Sequence, residues 1–261
     1  MALLLTLTLG VFVAVSKLLS LPPTETTGGG LPAPGVSPGG SPVTGPQAKG
    51  KLAAGREMAD VYALARNLAD RLEQTVGAGD WAAAREQLAE LQALELSRPA
   101  GAVRAQPAPA LLGDFFDFHL ISLDRALAER NARAAALSIN QLAGIIGERL
   151  AGFDKRAIAP ELHRMRYLAR EIELWSADEK MLATRAAALD AAWLDARRAM
   201  GARAERETAV RQMDALLQQI HAAKQPREMT SLIQQLRPQI ANLDSLSQPA
   251  RKTGAETGDD K

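Results

Sequence analysis

The chain contains no cysteine, and this absence excludes several kinds of site. Disulfide bonds, thiolate metal sites, thioether-linked haem and a lipid attached to cysteine all need a thiol. Aromatic residues make up only 4 % of the 261 residues, so the core has to be built mainly from Ala, Leu, Ile, Val and Met. The alternating Val, Thr and Tyr pattern of β-strands is nearly absent. Because Ala, Leu, Arg, Glu and Gln favour helices, the composition predicts an all-helical protein.

Neither sign of charge dominates, since 31 Lys and Arg residues stand against 30 Asp and Glu residues. A protein that binds nucleic acid through its phosphates needs a net basic face. The arginine-rich run at 195–207 mixes both signs and has no aromatic residues on which bases could stack. We interpret this run as a solvated helix end and expect no nucleic-acid partner.

The most apolar stretch is residues 2–21, "ALLLTLTLGVFVAVSKLLSL", which contains a single charge at Lys17. About twenty apolar residues suffice to span a bilayer, so residues 1–21 predict a membrane anchor or a signal peptide. Ala14-Val15-Ser16 fits a cleavage site, which leaves secretion after cleavage as the alternative. The remaining interpretation is a buried N-terminal helix of the soluble domain.

Residues 22–51 are rich in Pro and Gly and contain few large apolar side chains, which predicts a disordered linker. An anchor, a linker and a globular domain are the layout of a membrane-tethered extracytoplasmic protein. We therefore expect the chain at the cell membrane, attached through residues 2–21. Lys17 gives no support from the positive-inside rule, so the orientation rests on the layout.

Two short motifs in the linker match functional patterns without their structural context. "GPQAKGK" places Gly45, Gly50 and Lys51 at phosphate-loop spacing, but a leucine follows where Ser or Thr would bind magnesium. "GVSPG" places Ser37 at a nucleophile-elbow position, but Pro38 removes an N–H that an oxyanion hole needs. No strand pattern precedes either motif, so we interpret both as chance matches in Gly-rich sequence.

From Gly55 onward, apolar residues recur every three or four positions in eight segments, which predicts eight amphipathic helices. Short links make neighbouring helices run antiparallel. We therefore expect an all-α antiparallel bundle of two stacked four-helix units, at 52–152 and 157–246, followed by a disordered tail at 247–261. A helical-hairpin solenoid is the alternative, although no 34-residue period recurs.

Several residues mark the expected helix ends. In "GDWAAAREQLAEL", Asp80 is a good N-cap, and Trp81 should open a helix with its ring turned toward the core. Ser176 and Glu179 fit a capping box, and Pro238 should kink the last helix.

The two units also share a pattern. "INQLAGII" at 139–146 matches "IQQLRPQI" at 233–240 with an offset of 94 residues, and Trp81 and Leu88 match Leu182 and Leu189 with an offset of 101. These matches favour a duplication, although heptad helices also resemble one another without common origin.

The segment "GDWAAA" and the later "DFFDFHLISLDRALAERNARAAALSINQL", behind an N-terminal apolar segment, carry a resemblance. The chain resembles a family of uncharacterised bacterial proteins with an N-terminal membrane segment and a small helical domain. The resemblance covers about residues 55–150 and rests mainly on a G-D-W-x-x-A corner. It implies membrane attachment and a helical fold, and it implies no activity.

The three histidines, His119, His163 and His221, are the candidates for metal binding. None has Asp or Glu three or four residues away, so no helix face collects a metal-ligand pair. We predict that all three are surface or boundary residues. In "FFDFH" at 115–119, Phe116 belongs to the core stripe, whereas Phe115 and Phe118 lie partly off it. We expect the Pro-rich loop that precedes them, residues 105–110, to cover them, the alternative being an exposed contact surface.

The sequence therefore predicts no catalytic, cofactor-binding or metal-binding residue, and no cofactor. The leading functional hypothesis is a non-enzymatic, membrane-anchored interaction or scaffold module that contacts another envelope protein. The alternative is a helical bundle that senses a small molecule bound between its helices. The oligomeric state does not follow from the sequence.

Overall fold

The structure of the chain is a computed structural model, which describes residues 46–97, 110–153, 156, 158–201, 204–223 and 225–247. Every element in these residues is an α-helix, which confirms the predicted all-α fold. The predicted anchor, most of the linker and the predicted tail beyond Ser247 lie outside the described residues. In chain order the helices are α1 Pro46–Gly77, α2 Trp81–Leu96, α3 Ala110–Ala128, α4 Ala132–Ala151, α5 Ala159–Leu174, α6 Glu179–Met200, α7 Ala204–Ala222 and α8 Pro226–Ser247.

The helix contacts form two closed groups of four. In the first, α1 packs against α2 and α4, and α3 packs against the same two helices. In the second, α5 packs against α6 and α8, and α7 again completes the ring. Contact between α4 and α5 joins the two groups. These closing contacts are those of a helical bundle, since a solenoid unit touches only its neighbours along the chain.

Each helix buries one apolar stripe, as the periodicity predicts. Leu142 on α4 and Leu236 on α8 are fully buried, as are most of the stripe residues around them. Val61 and Val210 are only half-buried, because their neighbours Tyr62 and Ala209 take the interior positions. The core is thus aliphatic and placed by helical spacing.

The corner between α1 and α2 forms as predicted. The α1 helix ends at Gly77, and Gly79 adopts a φ of +75°, a backbone region that favours glycine. The Asp80 side chain accepts a hydrogen bond from the backbone N–H of Ala83, which makes it the N-cap of α2. Trp81 is half-buried at the first position of that helix.

Two other helix starts differ from the prediction. The α1 helix begins at Pro46, so residues 46–51 of the predicted linker are helical. Proline suits the first turn of a helix, and helix-forming residues follow it. The N-cap of α6 is Asp178, which accepts from the N–H of Met181, so the predicted capping box of Ser176 with Glu179 was wrong. Glu179 is the first helical residue and therefore cannot occupy the third position of such a box.

Two glycines let α4 and α5 approach closely. A Cβ atom added at Gly144 would lie 2.9 Å from Cδ2 of Tyr167, and one added at Gly147 would lie 3.1 Å from Cβ of His163. Tyr167 and His163 are themselves buried. The contact that joins the two groups of helices therefore depends on having glycine, which has no side chain, at positions 144 and 147.

A buried ion pair lies beside this contact. The Glu171 carboxylate of α5 is 3.3 Å from Nε of Arg185 on α6, and both side chains are almost fully buried. Asn140 and Gln141 of α4 donate to the same carboxylate. Burial raises the pKa of Glu171, while Arg185 and Asn140 oppose that shift by stabilising the charged form. The network fixes α4, α5 and α6 relative to one another.

The two groups of helices resemble each other in sequence as well as in their pattern of helix contacts. Arg66 and Glu73 on α1 lie 100 residues before Arg166 and Glu173 on α5. Both helices also bury an alanine at equivalent positions, Ala69 and Ala169. This correspondence agrees with a duplication, one of the two explanations that the sequence leaves open.

Replacing Gly144 with alanine tests the close approach. We expect Gly144→Ala to destabilise the full-length chain by about 1–3 kcal/mol, because the methyl group overpacks the α4–α5 contact. Gly113→Ala in α3 is the matched control, since nothing lies within 4 Å of a Cβ atom there. It should stabilise the chain by up to about 1 kcal/mol through helix propensity. Urea denaturation followed by circular dichroism measures both, and equal stabilities for the two variants would contradict the packing argument.

Candidate functional site

The strongest candidate site is a cavity of about 210 Å³ between the two groups of helices, which we call the arginine cavity. Its residues come from α1, α4, α5 and α8, so neither group forms it alone. Four arginines line it together with the carboxylates of Asp70 and Glu73, which leaves the lining with an excess of positive charge. The full lining is Arg66, Asp70, Glu73, Asn140, Ala143, His163, Arg166, Tyr167, Arg170 and Arg237.

Arg66 is the least well satisfied of these arginines. Its side chain is 16 % exposed, and its Nη1 lies 2.9 Å from Nδ1 of His163. Its Nε lies 3.5 Å from the Asp70 carboxylate and makes no hydrogen bond with any described residue. Burial lowers the pKa of Arg66, and the charge of Arg166 lowers it further, whereas Asp70 raises it. An anion in the cavity would relieve this shortage of negative charge.

Arg166 extends the positive surface toward α8. It pairs with the carboxylate of Asp244, which Arg156 also contacts at 2.6 Å. Although burial raises it, hydrogen bonds from the two arginines hold the pKa of Asp244 below its usual value. The Asp244 carboxylate therefore forms ion pairs with two guanidinium groups at once, those of Arg156 and Arg166.

A second set of charges lies along one side of the cavity. The carboxylates of Glu73 and Glu173 each contact both Arg170 and Arg237, at N–O distances between 2.6 and 3.4 Å. We call these four residues the ion-pair quartet. It bridges α1, α5 and α8, and it holds two of the cavity's arginines in fixed positions.

A second, larger cavity adjoins the first on the far side of the quartet. Its volume is about 450 Å³, and Glu73 and Arg170 line both cavities. We call it the apolar cavity, because alkyl groups from α1, α4 and the end of α5 make up much of its wall, although Arg133 and Glu173 also line it. The alkyl groups include those of Val76, Ala132, Ala136, Ile139 and Leu174.

The histidines do not all lie where the sequence prediction put them. His221 is exposed and pairs with Asp190, as expected of a surface residue. The prediction was wrong for His119 and His163, which are each only 8 % exposed. His119 lies three residues after Phe116 and four before Leu123, on the buried face of α3. His163 faces α4 at Gly147 and reaches the arginine cavity.

In the part of the chain that the structure describes, no three His, Asp or Glu side chains are grouped to hold a metal ion. The run at 195–207 presents Arg197 and Arg198 to solvent, as predicted for a helix end. Phe116 is buried, as predicted, whereas Phe118 is 50 % exposed, which agrees with the alternative of an exposed surface rather than with the expected cover. The loop expected to cover Phe115 and Phe118 lies outside the described residues, apart from Ala110 at the start of α3.

Sequence reasoning missed the arginine cavity. Each of its arginines directly follows a residue of the apolar stripe, at the border where charged side chains are ordinary. One signal was available: Arg166 and Arg170 are like charges four residues apart, an arrangement that destabilises an isolated helix. Such a pair indicates that partners come from other helices.

The comparisons with known proteins found no match. No protein-family model, no curated protein and no solved structure is similar to this chain. The resemblance to a family of membrane-anchored bacterial proteins therefore stays a prediction, and the function has to be argued from the geometry.

The buried His119 makes a pH prediction. Burial lowers its pKa from 6.5 to about 4. In this window the unfolded chain binds a proton that the folded chain excludes, so stability rises with pH. His119→Leu should remove about 2 kcal/mol of the gain between about pH 5 and pH 7. Urea denaturation at both pH values measures it, with His221→Leu as the exposed control. An unchanged gain in His119→Leu would show that another group causes it.

Proposed function

We propose that the chain is a non-enzymatic, membrane-anchored extracytoplasmic protein that binds a small anion between its helices. The observation that carries this proposal is the arginine cavity, with its excess of guanidinium groups and the Nε of Arg66, which makes no hydrogen bond with any described residue. Of the two binding roles that the sequence left open, this favours the small-molecule role over the scaffold role. Convergent polar groups in a cavity between elements are the usual form of a ligand site.

The geometry supports an anion rather than a cation or a neutral ligand. Guanidinium groups offer several N–H donors in one plane, which matches carboxylate and phosphate oxygens. Arg66 and Arg166 come from equivalent positions on α1 and α5, so they converge from the two groups of helices. An arriving anion would meet donors already held in place, which lowers the entropic cost of binding.

The chemistry of the lining supports binding rather than catalysis. The carboxylates of Glu73 and Asp70 are both engaged in ion pairs with arginines. The Tyr167 hydroxyl accepts a hydrogen bond from Gln141, and burial raises its pKa well above the usual range. The imidazole that lines the cavity is that of His163, and its Nδ1 is already within hydrogen-bond distance of Nη1 of Arg66. The polar groups of the lining are thus engaged with one another, an arrangement that suits the binding of a charged ligand better than proton transfer.

The proposed membrane attachment rests on the apolar sequence at residues 2–21. None of the helices in the described part of the chain is both long and apolar enough to cross a bilayer, so that segment is the one to test. Fractionation of cells that produce the full-length chain should place it with the membranes. A variant carrying Leu5→Glu and Val13→Glu should leave them, because charges oppose insertion. Recovery of the unaltered chain in the cytosol would overturn the anchoring.

Anion binding predicts a ligand-dependent rise in melting temperature. Replacing chloride with inorganic phosphate or acetate at constant ionic strength should raise the melting temperature of the full-length chain, because ligands of the folded state stabilise it. Arg166→Gln should abolish most of the rise, whatever its own starting temperature. Differential scanning calorimetry across a concentration series measures the effect.

The control for this experiment is Arg198→Gln. Arg198 is 77 % exposed, pairs with Asp195 within its own helix and does not line the arginine cavity. The Arg198→Gln variant should show the same rise in melting temperature with each anion as the parent chain. Equal responses from Arg166→Gln and the parent, or no response from the parent, would contradict the proposal.

A further inference from the structure

We propose that the natural ligand is a small organic acid with one anionic group and an apolar body. The anionic group would lie between Arg66 and Arg166, and the body would extend past the ion-pair quartet into the apolar cavity. This inference rests on the proposed function and adds to it the chemical class of the ligand.

The sizes of the two cavities support a ligand that occupies both. Cavities that hold small molecules usually measure about 300–1,000 Å³. At about 210 Å³ the arginine cavity is smaller than this range, whereas the apolar cavity, at about 450 Å³, falls within it. Because Glu73 and Arg170 line both, a ligand in one touches the wall of the other. An inorganic anion would leave the larger cavity to water.

The walls of the apolar cavity indicate what the body of the ligand is made of. Val76 and Ile139 are buried core residues at its floor, and Ala132, Ala136 and Leu174 add alkyl surface. Such surface gains free energy when it contacts hydrocarbon instead of water. The small side chains of Ala132 and Ala136 on α4 leave space in the apolar cavity that larger side chains would fill. A lipid with two acyl chains is much larger than this cavity, which favours a free acid.

The ion pairs indicate where a single anionic group would be accepted. The four arginines that line the cavity are Arg66, Arg166, Arg170 and Arg237, and they face the carboxylates of Asp70, Glu73, Glu173 and Asp244. Arg66 has the longest of these contacts, 3.5 Å to Asp70, whose side chain is 53 % exposed, and its Nε makes no hydrogen bond with any described residue. One carboxylate or an equivalent monoanion would supply the acceptor that Arg66 lacks.

The quartet determines where the anionic group can lie. Glu73 and Glu173 already contact Arg170 and Arg237, and an added anion beside them would meet like charge. The Nε of Arg66 faces one carboxylate, that of Asp70 at 3.5 Å, and makes no hydrogen bond with any described residue. The head of the acid therefore belongs on the Arg66 side, with its body directed past the quartet.

The test is isothermal titration calorimetry of the full-length chain with acetate, butanoate, hexanoate and octanoate. If the alkyl chain enters the apolar cavity, the affinity should rise about threefold for each added CH₂ group, somewhat less than full burial would give. Arg166→Gln should weaken every acid at least tenfold. Phosphatidylglycerol vesicles should leave the octanoate affinity unchanged, since a two-chain lipid does not fit.

Two substitutions in the wall of the apolar cavity test its role separately. Ala136→Phe should lower the octanoate affinity at least tenfold and leave acetate within twofold, because it fills the apolar cavity, which neither Arg66 nor Arg166 lines. Ala132→Phe, at the first residue of α4, should act in the same direction with less disturbance of the core. Ala187→Phe on the exposed face of α6 is the matched control and should leave both affinities unchanged.

The outcomes separate this inference from the proposed function. Binding that depends on Arg166 but not on chain length would overturn the organic acid and leave anion binding intact. A chain-length effect that survives both Ala136→Phe and Ala132→Phe, or displacement of octanoate by vesicles, would also overturn it. Failure of every acid and of inorganic phosphate to bind would overturn the proposed function itself.

Discussion

The close approach of α4 to α5 is the constraint on which the other features depend. Gly144 and Gly147 leave the surface of α4 bare where Tyr167 and His163 of α5 press against it. Because α4 belongs to the first group of helices and α5 to the second, this contact sets the spacing between the groups, and the ion-pair quartet spans the same junction. The arginine cavity lies along the same contact, since its lining includes both Tyr167 and His163. A wider separation would move Arg66 away from Arg166.

Charge placed at this junction has consequences for stability as well as for binding. Buried ion pairs contribute little net stability, because the desolvation of each ion offsets most of the attraction between them. The quartet and the Glu171–Arg185 pair are therefore better understood as devices that fix geometry: Glu73 and Glu173 hold Arg170 and Arg237 in place. Among the arginines that line the cavity, Arg66 has a buried Nε without a hydrogen bond to any described residue, and a ligand contributes most there.

The sequence was sufficient for the architecture and insufficient for the site, for physical reasons. Helix stripes depend on local spacing, so residues such as Leu142 and Leu236 could be placed from the 3.6-residue period. The arginines could not, because a charge at the border of a stripe looks the same whether it faces water or another helix. His163 was misplaced for the same reason: its burial comes from α4, 16 residues before it in the chain at Gly147. The Asp178 cap was missed because two capping residues lie two positions apart.

The most direct test of the account is a crystal structure of the full-length chain with 4-bromobenzoate, an organic acid whose bromine scatters anomalously. The account predicts the carboxylate within hydrogen-bond distance of Arg66 and Arg166, and a bromine peak between Val76 and Ile139 in the apolar cavity. Bromine peaks confined to other surfaces, with both cavities holding only water at a saturating concentration of the acid, would contradict it.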